Sequence, residues 1–473
     1  MKRYTFIVRE WNASFFVGLK SRIIENDTTA TFQFLTMQHI AYEQMLDSEL
    51  SGNEILYLPQ FFDSIMSDRK KYLGIDDMLH AKYGFGINRL YDLERFKPER
   101  KDEVVDFKVK QTLGLAELFK EGSILVSLTM DHFVYVLCGF LNQSAGGDNF
   151  FIQPVGFPRN ANAVFSNPWR LKKVKSNLKG KELEEFISSL KLKPEESIHY
   201  MKKTSEKKSS LLKRIEIKIK GLRSKKRAQK YHGLPFTYLD NQLKYLFNEN
   251  HNKYTQAWYP SSLSFNQIRE KCKNVKVFYF PLQLEPEMST LAYSPFVRNQ
   301  LEIVRLVSMT LREGDLLLLK ENPKMKGQRK QSFYDEIEKY DNVMWASFEI
   351  NSREIIRIAF KTISVTGTAC IESACLGKPS MIFGFAPWSN HLEQEPFSNK
   401  PITQLYSELY ADFSSEVIQN KLCDSFLIYK DSLLLANFIP LGENENWNCA
   451  DLINTNFLIE ETYKLLKEDL CAE

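Results

Sequence analysis

The chain has 473 residues, 43% hydrophobic and 13% aromatic, with a formal net charge of +4. This is enough for two or three domains with cores of their own, and it excludes a disordered chain. No apolar run reaches the length of a membrane span, and the start from Met1 to Val8 turns polar at Arg9 and Glu10 too soon for a signal peptide.

The first part of the chain alternates strand-like and helix-like segments. Strands are predicted at Tyr4 to Val8, Thr31 to Leu35 and Glu54 to Leu58, and Tyr42, Met45 and Leu46 fall at helical spacing between the last two. A helix from Lys108 to Lys120, a strand from Ser123 to Leu128 and an apolar helix from Phe133 to Leu141 follow. Asp131 and His132 stand just past that strand, where a carboxylate and an imidazole suit a general base. Gly84-Phe85-Gly86 lacks the third glycine of a dinucleotide fingerprint and reads as a loop. Phe151 to Pro168, rich in Pro, Asn and Gly, reads as irregular. The seven cysteines contain no CxxC pair, which suits reduced cytosolic thiols rather than a metal site.

From Lys202 to Lys230 about a dozen Lys and Arg are opposed only by Glu206 and Glu216. Leu211, Leu212, Ile215, Ile219 and Leu222 recur there at helical spacing, the pattern of a basic amphipathic helix. Such a helix suits a solvated face packed on a domain, or peripheral contact with an anionic membrane. The aromatic interleaving of single-strand binders is missing, so no nucleic-acid partner is expected.

The second half repeats the α/β pattern more strongly. Strands are predicted at Val275 to Leu282, Leu316 to Lys320, Thr362 to Val365 and Ser380 to Phe383. They empty into Gln283-Leu284-Glu285-Pro286-Glu287, Glu321-Asn322-Pro323, Thr366-Gly367-Thr368 and Gly384. Small polar loops at strand ends mark a doubly wound sheet, which binds ligands beyond the carboxyl ends of its strands. A long loop with Trp388 and His391 follows, and the last helix, about Asn456 to Leu470, is placed to cross back to the first domain.

Three of these segments, in order, carry a family resemblance. Phe280-Pro281-Leu282-Gln283-Leu284-Glu285-Pro286-Glu287-Met288-Ser289-Thr290 resembles the Gln-Pro-Glu motif of bacterial capsule and surface polysaccharide biosynthesis proteins. Lys320-Glu321-Asn322-Pro323, with Gly327-Gln328-Arg329 and Phe333-Tyr334, resembles their Lys-Glu-His-Pro segment. Thr366-Gly367-Thr368 with Glu372 and Gly377-Lys378-Pro379 resembles their third nucleotide-site motif. Glu285 stands where the first motif carries Gln, and Asn322 where the second carries His. The family is related to retaining β-Kdo transferases, so the resemblance implies a GT-B fold and a CMP-activated ulosonic or nonulosonic acid, of Kdo or pseudaminic-acid type, as donor. It also implies a surface-glycan or lipid-linked glycan acceptor.

Breaking the bond to the nucleotide creates an oxocarbenium-like centre and a phosphate leaving group. A carboxylate near the anomeric carbon can stabilise or attack that centre, with net retention. Glu287 aligns with the family's nucleophile position, and Glu285 is the alternative. Ser289, Thr290 and Thr368 open predicted helices whose free N–H groups favour phosphate. Thr366 and Gly367 belong to the same loop. Glu372 suits the vicinal hydroxyls of a ribose. Lys320 and Arg329 suit the sugar carboxylate or the phosphate, and Asn322-Pro323 would lie near that phosphate, Asn322 as a neutral donor. Asp131 and His132 are the candidate base for the acceptor. No DxD motif lies in a suitable loop, so neither a metal nor another cofactor is expected.

The fold expected is thus α/β of the GT-B type: two facing Rossmann-like domains with a C-terminal helix crossing back. The acceptor domain is expected over 1–200, a basic linker over 201–240, the nucleotide-sugar domain over 241–455 and the return helix over 456–473. A cytoplasmic location, peripheral on the membrane, goes with this reading. The competing readings are a GT-B transferase using a UDP-sugar, a UDP-sugar 2-epimerase-like enzyme, and a non-catalytic capsule-assembly scaffold.

Overall fold

The computed structural model describes residues 1–94, 96–97, 100–155, 161–174, 239–240, 260–285, 293–294, 299–325, 329, 331–386, 400–435 and 452–469. Among these, the residues up to 174, the pair 239–240 and everything from 431 onward form one compact unit, and 260–430 form a second. The basic segment 202–230 and the loop with Trp388 and His391 lie outside the described residues.

The first unit contains β1 (Arg3–Ile7), β2 (Thr31–Thr36), β3 (Ile55–Tyr57), β4 (Phe96–Lys97), β5 (Ile124–Ser127), β6 (Asp148–Val155), β7 (Ala161–Asn167), β8 (Arg170–Leu171) and β9 (Leu239–Asp240). Apart from β4 and β9, which pair with each other, these strands join one sheet. In the second unit β10 (Ser262–Leu263), β11 (Val277–Pro281), β12 (Leu316–Lys320), β13 (Val343–Ala346), β14 (Lys361–Ser364) and β15 (Ser380–Ile382) form another, and β16 (Leu433–Leu435) then rejoins the first.

The first sheet runs β16-β7-β6-β5-β1-β2-β3, with β8 on β7. The strands β3, β2, β1, β5 and β6 are parallel, and β7, β8 and β16 continue antiparallel. Alternation along the strands sends Tyr4, Phe6 and Val8 with Phe34, Val126, Phe150 and Ile152 into one core. Phe15, Phe16, Leu19 and Ile23 of the Ala13–Ile24 helix close that core together with the C-terminal Leu452–Asp469 helix. The two helices meet at Gly18, where a Cβ would stand 2.7 Å from Ile459 Cδ1. Arg22 bonds Glu460 at 2.8 Å and covers the Tyr463 ring. The opposite face is covered by the Phe133–Ser144 helix, buried on every side from Phe133 to Asn142, as its continuous apolar sequence requires.

Two expectations need correction here. The stretch from Phe151 to Pro168 is mostly regular: β6 and β7 form an antiparallel pair with Ile152 opposite Val164. Phe150-Phe151-Ile152 and Ala163-Val164-Phe165 supply the β pattern, while Pro154 lies past the end of β5, where β6 has only β7 as neighbour and a missing donor costs nothing. The return to the first unit also comes earlier than residue 456. Val174 N–H donates to the Asp431 carbonyl at 2.5 Å, and the apolar run Leu433–Leu435 adds an edge strand beside β7. Residues 431–435 therefore belong to the first unit rather than to a domain ending at 455.

The second sheet, β10-β13-β12-β11-β14-β15, is entirely parallel. Its strands are near-continuous apolar runs because both faces are covered. Phe278, Phe280, Leu317 and Leu319 pack on one side with Ile303, Val304 and Val307 of the Gln300–Thr310 helix. Tyr279 and Leu318 pack on the other with Ile268, Ile355 and Ile356. Strand order reverses between β11 and β14, which is the topological switch point. Two Rossmann-like units and a C-terminal helix returned to the first make up the GT-B element plan.

Candidate functional site

At the switch point of the second unit, one glutamine ties the strand ends together. Gln283 leaves β11, and its side chain receives the Thr366 N–H at 3.0 Å on Oε1 and donates from Nε2 to Thr366 Oγ1 at 3.3 Å. Its own backbone is held on both sides by Gln300: Gln283 N–H donates to Oε1 at 2.6 Å, and Nε2 donates to the Gln283 carbonyl at 3.1 Å. Gly367 is required beside this clasp, because a Cβ there would come within 2.6 Å of Ser364 Oγ and 3.2 Å of Gln283 Nε2. Ser364 Oγ in turn accepts the Gly367 N–H at 2.8 Å.

The neighbouring end of β12 holds the charges. Arg329 donates from Nε to Glu321 Oε2 at 2.6 Å, from Nη1 to Glu285 Oε2 at 2.6 Å and from Nη2 to the Gln283 carbonyl at 2.7 Å, and it lies 4.6 Å over the Phe333 ring. Glu321, fully buried, also takes the Asn322 N–H at 2.7 Å and the Tyr334 hydroxyl at 3.2 Å. Burial pushes its carboxyl pKa up and Arg329 pulls it back. Arg329 is thus tied into the protein on three of its nitrogens. Lys320 is not. It is 6% exposed, its ammonium makes no hydrogen bond or ion pair among the described residues, and burial lowers its pKa against the opposing pull of Glu321. An ammonium mostly buried with no fixed hydrogen-bond partner has the chemistry to receive an anion.

The rest of the predicted set divides clearly. Thr366, Gly367 and Thr368 follow β14 into the Ala369–Cys375 helix, as expected from sequence. Glu372, one turn on, sits 3.4 Å from Arg353 Nε; burial raises its pKa and Arg353 opposes that. Asn322 and the exposed Pro323 begin a short turn, with Met325 N–H donating to the Asn322 carbonyl at 2.8 Å. Glu287, Ser289 and Thr290 lie outside the described residues.

In the first unit, Asp131 does follow β5 at that sheet's own switch point. Arg9, directly after β1, holds it: Nη1 lies 3.0 Å from both carboxylate oxygens, and the Thr129 hydroxyl donates to Oδ1. Burial works against the charge on Arg9, and Asp131, Tyr135 and Glu10 together outweigh it, raising the guanidinium pKa. His132 caps the next helix, its Nδ1 accepting the Val134 N–H at 3.3 Å. Nδ1 is therefore the bare nitrogen and Nε2 carries the proton. Nε2 stands 3.1 Å from the fully buried Glu94 carboxylate. Glu94 also receives the Gln111 amide at 3.0 Å.

Sequence reasoning missed Gln283, Gln300 and Arg9. A signal for Gln300 was present, since it shares a helical face with Ile303, Val304 and Val307, where a glutamine needs a reason. Gln283 lies inside the first motif, in the shadow of its carboxylates, and Arg9 follows the first predicted strand with no partner nearby in sequence.

No family model matches the chain, and no curated protein matches it. Among solved structures, the chain is similar to the β-Kdo 2,7-transferase KpsC of Thermosulfurimonas dismutans, with TM-score 0.34 and 12% identity over 98% of this chain and 99% of that one. The β-Kdo 2,4-transferase KpsC of the same organism gives TM-score 0.29 and 10% identity over 71% and 86%. A UDP-GlcNAc 2-epimerase of Neisseria meningitidis gives TM-score 0.23 and 11% identity over 91% and 97%.

Proposed function

We propose that this protein is a GT-B glycosyltransferase that takes an ulosonic or nonulosonic acid from a CMP-activated donor and places it on a surface-glycan acceptor. The observation that carries the reading is the buried, unpaired Lys320 beside the Gln283 clasp, at the edge where doubly wound sheets take nucleotides. A CMP-activated acid sugar presents a phosphate and a carboxylate, and either suits that ammonium. Arg329 then serves to set the loop geometry, since Glu321 and Glu285 take up its charge. Thr366, Gly367 and Thr368 border the phosphate, with Glu372 toward the ribose. Glu287 is the nucleophile for a retaining transfer, with Glu285 as the alternative. The resemblance of three ordered motifs to retaining β-Kdo transferases supports the same assignment. Peripheral attachment to the cytoplasmic face of the membrane through 202–230 belongs to this proposal; among the described residues no helix is long and apolar enough to cross a membrane.

Thermal-shift or calorimetric titration with CMP, UDP and GDP tests it, because a ligand of the native state raises stability as RT ln(1 + [L]/Kd). A selective CMP response, lost in Glu372→Ala and Lys320→Met, is expected. A selective UDP response would replace the donor, and UDP-sugar interconversion without acceptor would identify an epimerase. Silence toward all three nucleotides would leave a non-catalytic scaffold.

A further inference from the structure

At the other end of the second sheet from the Gln283 clasp, a cleft of about 440 Å³ lies where β11, β14 and β15 begin. Lys276 leads into β11, Ile358 and Phe360 into β14 and Lys378 into β15, while Asp412 and Phe413 border the cleft just before the Ser415–Tyr429 helix. The backbone N–H groups of these turns are spent. Lys276 donates to Asp315 Oδ1 at 3.0 Å, Phe360 to the Val277 carbonyl at 2.8 Å and Lys378 to the Ser373 carbonyl at 2.9 Å. The side-chain charges are not: among the described residues neither ammonium makes a hydrogen bond or an ion pair. Lys276 Nζ stands 3.9 Å over the Phe360 ring and 5.3 Å from the centre of Tyr410. Aromatic faces hold an ammonium in place without neutralising it. Lys378 is close enough to Cys272 for its charge to oppose the rise that burial gives the thiol pKa. Behind them Lys361, 3% exposed, donates to the Glu408 carbonyl at 2.5 Å. Burial lowers its pKa to about 8, with Glu408 and Asp412 opposing the fall and Lys276 adding to it. Asp412, which is exposed, is the one carboxylate among the described residues lining the cleft. Cations gathered this closely repel one another, and an anion in the cleft removes that repulsion.

We propose that this cleft is a second ligand site, one that takes a phosphate monoester carrying an apolar group. Lys276 and Lys378 receive the phosphate, since two unpaired ammonium groups match a dianion. Ile358, Phe360 and Phe413 face the apolar group. A membrane-lipid headgroup and a soluble ester share this chemistry. The five residues of β11, about 17 Å of extended chain, separate the cleft from the Gln283 edge. The site is therefore independent of the donor reading.

The intact protein is titrated calorimetrically with n-hexyl phosphate, inorganic phosphate and n-hexanol. Saturable binding of hexyl phosphate is expected, about tenfold tighter than inorganic phosphate, the gain from burying about two methylene groups. Hexanol should show none. Lys276→Gln and Lys378→Gln should each weaken hexyl phosphate about fivefold while the far-UV circular dichroism stays that of the wild type. Lys320→Met, at the other edge of the sheet, should leave that affinity unchanged. No binding of hexyl phosphate, equal affinity for inorganic phosphate or hexanol, wild-type affinity in both glutamine variants, or a loss in Lys320→Met overturns the proposal. Vesicles of phosphatidic acid and of phosphatidylcholine then distinguish the sources. Displacement of hexyl phosphate by the first and not the second assigns the site to a membrane lipid, and no displacement by either assigns it to a soluble ester.

Discussion

The two units share one winding plan and wire their switch points in opposite ways. In the first, a charged pair spans the reversal, with Arg9 after β1 holding Asp131 after β5. In the second, a neutral amide spans it, with Gln283 after β11 holding Thr366 after β14, and the charges are displaced one strand over to the end of β12. The consequence is electrostatic. A neutral clasp adds no charge of its own beside the Lys320 ammonium, which feels the pull of Glu321 without a hydrogen bond to it among the described residues. In the first unit the cation is already paired with Asp131.

Breaking the charged wiring should separate the units most. Arg329→Met strips the cation from Glu321, which has no exposed side-chain surface, and from Glu285. A buried carboxylate left alone costs about 3–5 kcal/mol, so urea unfolding should show the second unit heavily destabilised. Arg9→Met leaves Asp131 with 18% side-chain exposure and the Thr129 hydroxyl still bonded, so the loss there should be about 1–2 kcal/mol. Equal losses would show that burial does not distinguish the two edges.

The amide clasp comes next. Gln283→Leu removes both side-chain bonds to Thr366 and unties the β14 loop from β11, at about 2–3 kcal/mol by denaturant titration. Gln283→Glu keeps the acceptor for the Thr366 N–H and should cost less stability. It places a carboxylate at the crevice, however, and should weaken nucleotide binding more than its stability loss explains. Gly367→Ala forces a Cβ toward Ser364 Oγ and should cost about 1–3 kcal/mol, read in the same titration.

Much of this architecture was legible in the sequence, and the limits follow from the physics. The strand Leu316–Lys320 falls where it was predicted, because a parallel strand buried on both faces is a continuous apolar run bounded by polar residues. The β6–β7 pair was hidden because Pro154 lies at a position where the ladder asks nothing of its nitrogen, something only a register reveals. Asp131 and Arg329 were visible as charged residues at strand ends, but whether a charge is spent or available depends on partners far away in sequence. Arg9 meets Asp131 across 122 positions, and Gln283 meets Thr366 across 83. Residue type marks the edge of a site; partner geometry decides its chemistry.

The smallest expected effect is also the sharpest. Lys320 follows Leu318 on the same face of β12, and Lys320→Met keeps a buried chain of similar length while removing its charge. Burial lowers the folded-state pKa of Lys320 below its unfolded value. Between those two values the unfolded chain binds the extra proton, so stability rises with pH, and below the folded value the full penalty of burying the charge is present. Lys320→Met removes that penalty. The variant should therefore be more stable than the wild type at neutral pH, by a margin that shrinks as pH approaches the unfolded lysine value near 10.4. Its CMP response should vanish over the same range. A residue retained for fold stability would show the reverse sign, so a destabilised variant that still binds nucleotide would remove Lys320 from the site and with it the contrast between the two edges.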